Sequence, residues 1–161
     1  MKYVEALLKN DRYLYALKKI EEAEEDRVFC KHDFEHMLHV CRIAYIMNLE
    51  NHLGLEKEMI YLYGLLHDIG RAAEYEQGLS HEQAGMMLAE SILDEIRCPG
   101  ELKHKVIREI GNHRSKPEDL CAITTETVFW QADKKARNCF LCTQKEACHW
   151  ATEKRTTGIN W

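Results

Sequence analysis

The sequence predicts an all-α protein folded as one helical bundle, and three observations carry that prediction. Apolar residues recur at intervals close to the ~3.6 residues of a helical turn along almost the whole chain. No stretch alternates apolar and polar residues as a half-buried strand would. The 161 residues are near the usual size of one domain and contain no Pro/Gly/Ser-rich linker at which to divide them. Such a domain buries roughly two thirds of its unfolded surface, enough for a core without disulfide staples.

Residues 2–26 predict one or two short helices, with the acidic run from Glu21 to Asp26 read as a solvated face. A long helix follows from about Asp33 to Asn51, and Asp33 is a suitable N-cap. Further helices are expected at about 56–68, 80–97, 100–113 and 118–137. Pro99 and Pro117 stand where helices can begin, because proline is tolerated in the first turn and not deeper. Gly54, Gly70, Gly78, Gly100 and Gly111 punctuate the rest, and 138–161 reads as irregular. Residues 1–137 are therefore taken as the helical domain, with 138–161 a cysteine-rich tail packed on it.

Charge narrows the function. With 22 basic and 27 acidic residues the chain carries a net charge of -5, spread along its length, which argues against a nucleic-acid polymer as partner and for a small molecule. The N-terminus lacks the apolar core of a signal peptide, and no window approaches the ~18 apolar residues of a membrane span. Seven cysteines, an odd number, suggest thiols or metal ligands before disulfides and fit a cytoplasmic location. Oligomeric state is not legible.

The chemistry lies in dispersed histidines and aspartates. In the helix from Asp33, the residues His36, Val40, Ile43, Ala44 and Met47 share one face at steps of three and four, so His36 rides the stripe that faces the core. His32 and His39 lie nearby, and periodicity leaves open which imidazole is functional. A core imidazole hydrogen-bonded to a neighbour is the plain alternative. The doublet His67-Asp68 closes a strongly apolar helix, and burying both is most easily explained by a shared cation that offsets desolvation of the carboxylate. A solvated helix end is the alternative there. Asp133, after the apolar Phe129-Trp130, offers a hard oxygen ligand or else a surface salt bridge. Together these groups point to a transition metal, and a bound metal makes water a nucleophile at neutral pH.

Three segments, Phe34-Glu35-His36-Met37-Leu38-His39-Val40, Leu65-Leu66-His67-Asp68-Ile69-Gly70 and Ala132-Asp133-Lys134, resemble the HD-domain superfamily of metal-dependent phosphohydrolases in the order His, His-Asp, Asp. The resemblance runs from about residue 28 to 137 and implies a helical bundle of that type. The family's first histidine stands four residues before a helix valine, which selects His36. Ser80-His81-Glu82-Gln83-Ala84-Gly85 and Ile110-Gly111-Asn112-His113 resemble the extra histidines of two-metal branches. Asn112-His113 departs from the His-His of the cyclic-dinucleotide phosphodiesterases, and their Gly-Tyr-Pro signature is missing too.

The resemblance implies one or two divalent transition metals (Mn, Fe, Co, Ni or Zn) held by His36, His67, Asp68, His81, His113 and Asp133, with Asp68 bridging. It implies cleavage of a small phosphate ester or nucleotide by metal-activated water. Arg71 and Lys134 are the candidate cations for the phosphoryl oxygens, with Arg114 and Lys116 as further candidates. Some HD-fold proteins resembling inositol oxygenase use the same ligands on dioxygen, so a diiron oxygenase is the alternative enzyme. A non-catalytic nucleotide- or metal-binding module is the alternative from another class.

The tail carries Cys139, Cys142 and Cys148 followed by His149. With His149 or a distant Cys30, Cys41, Cys98 or Cys121, these thiols suit a tetrahedral zinc or an iron–sulfur cluster. Cys148 and His149 are adjacent and do not easily bind together, which favours a distant cysteine as the fourth ligand. Reduced thiols packing a cap with Trp150 and Trp161 are the alternative.

Overall fold

Asp33 opens the central helix by accepting a hydrogen bond from the His36 backbone N–H at 2.9 Å, as its sequence position suggested. In the computed structural model, which describes residues 1–113, 115–117 and 121–159, the helices are α1 (Lys2–Leu7), α2 (Asp11–Ala23), α3 (Phe34–Glu50), α4 (Lys57–Leu66), α5 (Arg71–Gln77), α6 (His81–Glu95), α7 (Gly100–Asn112) and α8 (Val128–Lys135). Short 3₁₀ turns follow at Cys139–Leu141 and Thr152–Lys154. Among the described residues there is no strand, so the protein is all-α.

The apolar stripe of α3, with Met37, Val40, Ala44 and Met47 buried, packs between α4 and α8. Gly64 lets α3 and α4 close, since a Cβ there would stand 2.5 Å from Cys41 Sγ and 3.1 Å from its backbone nitrogen. On the far side of α4, α7 packs against it and against α6, while α5 bridges α2 and α6. No described helix is long and apolar enough to cross a membrane.

Two expectations are corrected. The last helix begins at Val128 and not near residue 118, so Pro117 does not start it; residues 121–127 form bends and turns, and 118–120 lie outside the described residues. Threonines explain the delay. Thr127 Oγ1 accepts from the Thr124 backbone N–H at 2.9 Å and donates to the Ala122 carbonyl at 2.8 Å, giving the backbone a local alternative to helix. The segment between the His67-Asp68 doublet and His81, for which no helix was expected, contains α5. Gly78 ends it with φ +67°, its N–H bonding back to the Glu74 carbonyl.

The turn from His67 to Gly70 joins α4 to α5 and presses on the start of α6. A Cβ at Gly70 would stand 2.0 Å from the His81 carbonyl oxygen and 2.4 Å from the Gly85 nitrogen, backbone atoms that cannot yield. Glycine here is therefore a condition for bringing the Asp68 turn beside His81.

The acidic run also departs from expectation at one residue. Glu24 is only 2 % exposed and accepts hydrogen bonds from the His32 ring (2.7 Å), the His32 backbone N–H (2.7 Å) and the Tyr75 hydroxyl. Burial alone would raise its pKa, but these donors outweigh burial and bring it from the ordinary 4.5 to about 2. The carboxylate ties the end of α2 to the residues before α3 and to α5. Its position was legible, because Tyr13, Leu17, Ile20 and Glu24 follow one another at helical steps of four, three and four.

Two outcomes follow. Gly70→Ala should lower stability by about 3 kcal/mol, read as a drop in Tm by circular dichroism, because backbone must move to admit one methyl. Glu24 has its folded pKa depressed, so its contribution is complete above about pH 4.5 and fades as pH falls towards about 2. Glu24→Gln should cost on the order of 2 kcal/mol at pH 7, and chemical denaturation repeated near pH 3 should show a smaller difference from wild type.

Candidate metal centre

Two of the buried imidazoles are oriented by a backbone carbonyl. His67 Nδ1 meets the Gly64 carbonyl at 2.8 Å, and His113 Nδ1 meets the Ile110 carbonyl at 2.6 Å, in both cases one turn back along the chain. A carbonyl only accepts, so Nδ1 carries the proton and Nε2 presents a lone pair when the ring is neutral. His81 Nδ1 lies 3.1 Å from Glu74 Oε2 without forming a hydrogen bond, and its Nε2 faces the same interior. This is the arrangement by which proteins aim histidines at metals.

The lone pairs converge in two sets. His36, His67 and Asp133 offer ligand atoms all within 4.8 Å of one another, and so do Asp68, His81 and His113. Asp68 stands between the sets. Its Oδ2 lies 3.2 Å from His67 Nε2 and 3.8 Å from His36 Nε2, while its Oδ1 lies 3.9 Å from both His81 Nε2 and His113 Nε2. His36 Nε2 is 3.3 Å from Asp133 Oδ1, and His81 Nε2 is 3.2 Å from His113 Nε2. All six side chains are buried.

Three of these atoms, His36 Nε2, His67 Nε2 and Asp133 Oδ1, are buried without a hydrogen bond of good geometry, although Asp133 Oδ1 is ion-paired with Arg137 Nη1 at 2.9 Å. Orphaned polar atoms are costly in a native interior, and all three belong to one convergent set. A divalent cation satisfies them at once, and the donor set of imidazole nitrogens with two carboxylates suits a transition metal better than magnesium. The residues therefore fit the group that the fold implies.

Electrostatics agree. Burial lowers the pKa of His36, and burial with the adjacent His67 brings His113 to about 4, so both rings are neutral and free to ligate at pH 7. Burial would raise Asp68 and Asp133, but His67 and Arg71 hold the first, and Arg137 with His36 the second, well below the carboxylate range. At His67 burial is outweighed by Asp68 and the pKa rises. A proton there and a cation in the cluster are alternative ways of neutralising Asp68.

Arg71 donates from Nε to Asp68 Oδ1 at 3.0 Å, and its Nη1 lies 3.5 Å from Glu74. Lys134 folds back onto Asp133 Oδ2 at 2.5 Å, with its ammonium over the Trp130 and Trp150 rings. Both candidate cations thus touch a carboxylate of the cluster. Lys116 lines a cleft of about 990 Å³ that also takes in Tyr63, Lys105, His113, Thr127 and Trp130, while Arg114 lies outside the described residues. His39 is half-buried and His104 exposed, away from both sets.

The three tail cysteines are not gathered into a compact set. Among the described residues, no three of the chain's thiols bring their sulfurs within 4.8 Å of one another. Arg137, one turn after Asp133 and a salt-bridge partner the sequence allowed for it, is buried and brings its Nη1 to Asp133 Oδ1 at 2.9 Å and to the Asp133 carbonyl at 2.7 Å. Its spacing of four from a proposed ligand was the available signal.

Residues 33–142 match the HD domain family model. The chain is 37 % identical over 153 residues to an uncharacterized protein of Clostridium beijerinckii, covering 95 % of each. It is 34 % identical over 87 residues to ribonuclease Y of Pseudothermotoga lettingae, a stretch that is 54 % of this chain and only 15 % of that enzyme. Among solved structures, a predicted HD superfamily hydrolase from an uncultured Thermotogales bacterium superposes with a TM-score of 0.61 at 22 % identity, over 88 % of this chain and 80 % of that one, a likeness of fold.

Metal content tests the two sets separately. The wild-type protein, dialysed against manganese and measured by mass spectrometry, should hold about two ions per chain, and His113→Ala about one. Asp68→Asn should weaken both by at least about 10-fold. Wild-type protein that binds no divalent ion would remove the site.

Proposed function

Because the chain belongs to the HD-domain family, we propose that it is a metal-dependent phosphohydrolase that cleaves a small phosphate ester or nucleotide. The observation that carries this reading is the buried Asp68 carboxylate, whose two oxygens face two separate sets of imidazole nitrogens. His36, His67 and Asp133 would hold one ion and His81 with His113 a second, with Asp68 shared between them. Bound there, divalent ions supply Lewis-acid polarisation of phosphoryl oxygens and lower the pKa of water from about 16 towards about 7. The matched stretch of ribonuclease Y, an enzyme named for cutting RNA, supports phosphorus as the reacting centre.

The chain's own residues supply the rest. Arg71, held by Asp68 at 3.0 Å, places a fixed positive charge at the cluster for the charge that gathers on phosphoryl oxygens. Lys134 does the same beside Asp133, and its stacking on two indoles limits its freedom. The cleft reaches the cluster at His113 and offers mixed surroundings to the remainder of a substrate: Lys105, Arg108 and Lys116 for negative charge, Trp130 for an apolar or planar group. Lys105 and Arg108 are paired with Glu101 and Glu109, so neither is an uncompensated charge. Tyr63 lies behind the cleft wall, fully buried, and its hydroxyl has no hydrogen-bond partner.

Phosphate release from a panel of nucleotides and simple phosphoesters, with manganese, iron or cobalt, tests the reading. At least one substrate should turn over, and His67→Ala or Asp68→Ala should lower kcat by about 10³-fold or more while the far-ultraviolet circular dichroism is kept. Arg71→Ala should cost about 10²-fold. Turnover that persists under argon separates hydrolysis from oxygenation. Tight nucleotide binding without release of phosphate would instead identify a binding module and overturn the proposal.

A further inference from the structure

The cysteines outside the metal centre have no role in the chemistry above. Cys139, Cys142 and Cys148 follow one another with two and then five residues between them. The first two form a tight turn, the Cys142 N–H bonding to the Cys139 carbonyl at 3.2 Å. Arg155 shapes the loop to the third by donating to the carbonyls of Lys145, Cys148 and Trp150, each at 2.8 Å. Thr156 closes the tail onto α8, accepting from the Cys139 N–H and donating to the Arg137 carbonyl.

This loop docks on the segment before α3. Phe29 meets the His149 ring edge-on at 5.7 Å between centroids, and Cys30, Cys139 and Cys148 line one small cavity with Arg27 and Arg137. Of the four distant cysteines that could complete the tail's set, the fold thus delivers Cys30. Cys30 as a residue is exposed, yet desolvation of its thiol by the atoms around the cavity raises its pKa; Arg137 opposes this, while Cys139 and Cys142 add to it. The cavity lining holds two arginines and no carboxylate, surroundings that favour a negatively charged group.

We propose that Cys30, Cys139, Cys142 and Cys148 hold an iron–sulfur cluster that pins the C-terminal tail to the segment before α3. A single zinc ion fits less well. With Zn–S of about 2.3 Å and tetrahedral angles, all four sulfurs of a zinc site stand about 3.8 Å apart. Here no three sulfurs lie within 4.8 Å of one another. A cluster distributes its thiolates over several irons, so no three of them need be close. The arginines offset the charge of the thiolate-bound cluster, while Phe29 and Trp150 limit its access to water. Arg137 also contacts Asp133, which places the cluster one side chain away from the metal centre.

The test uses the full chain purified without oxygen and supplied with iron and sulfide. Acid-labile sulfide should be present at about two or more per chain, with a visible absorption that dithionite bleaches. Cys30→Ser and Cys148→Ser should lose that sulfide, whereas Cys121→Ser and His67→Ala should keep it. Because the histidine and aspartate site carries no sulfide, its failure and the failure of this proposal are read separately. Wild-type protein free of sulfide, a single zinc lost in Cys30→Ser, or full sulfide in Cys30→Ser would each overturn the proposal. The wild-type measurement decides even if a cysteine variant does not fold.

Discussion

The structure turns on the placement of one ionised carboxylate, Asp68, in a buried position between two groups of histidines. A carboxylate so placed loses its hydration and must recover it from neighbours. Arg71 supplies one fixed charge at 3.0 Å, and His67 approaches at 3.2 Å. His113 turns a lone pair, and not a proton, towards the same space, because its Nδ1 is committed to the Ile110 carbonyl. That combination is unfavourable by itself, since lone pairs and carboxylate oxygens repel one another. It is favourable around a cation. The ligand geometry, the orphaned polar atoms and the depressed carboxylate pKa values are three consequences of that one constraint.

Backbone packing makes the arrangement reachable. The two ligand sets come from helices that would stay apart if the turn after α4 could not approach α6. Gly70 removes the side chain that would prevent this approach, and its place two residues after Asp68 transmits the packing directly to the carboxylate. Gly64 acts similarly between α3 and α4, which carry His36 and lead into His67. The buried Glu24 fastens α2 and α5 around the same region through His32 and Tyr75, and His32 in turn stands edge-on to His36 at 5.7 Å. The candidate ligands, the glycine contacts and the Glu24 bonds therefore stabilise one another, and disturbing any of them reaches the others through short paths.

The tail extends this logic to the far side of the centre. Trp150 lies against both Lys134 and Arg137, two cations that contact Asp133. Ordering of the cysteine loop therefore bears on the groups that neutralise the buried Asp133 carboxylate. A tail that looks peripheral in the sequence is coupled to the site by aromatic and guanidinium packing.

Local pattern alone determined the helical class, the start of α3 at Asp33, and the core-facing position of His36, because helix periodicity and capping depend on neighbours only a few residues away. The grouping of His36, His67, Asp68, His81, His113 and Asp133 was also legible, through the order and spacing of the motifs that resemble the HD family. The late start of α8 and the presence of α5 were not, since threonine hydroxyls and a left-handed Gly78 outcompete a weak periodic signal. Tertiary structure alone decided that Glu24 is interior and not solvated and that Cys30 is the cysteine brought to the tail. The reason is physical: these depend on distances between segments remote in the chain, set by how closely helices can pack, and no local pattern encodes such a distance.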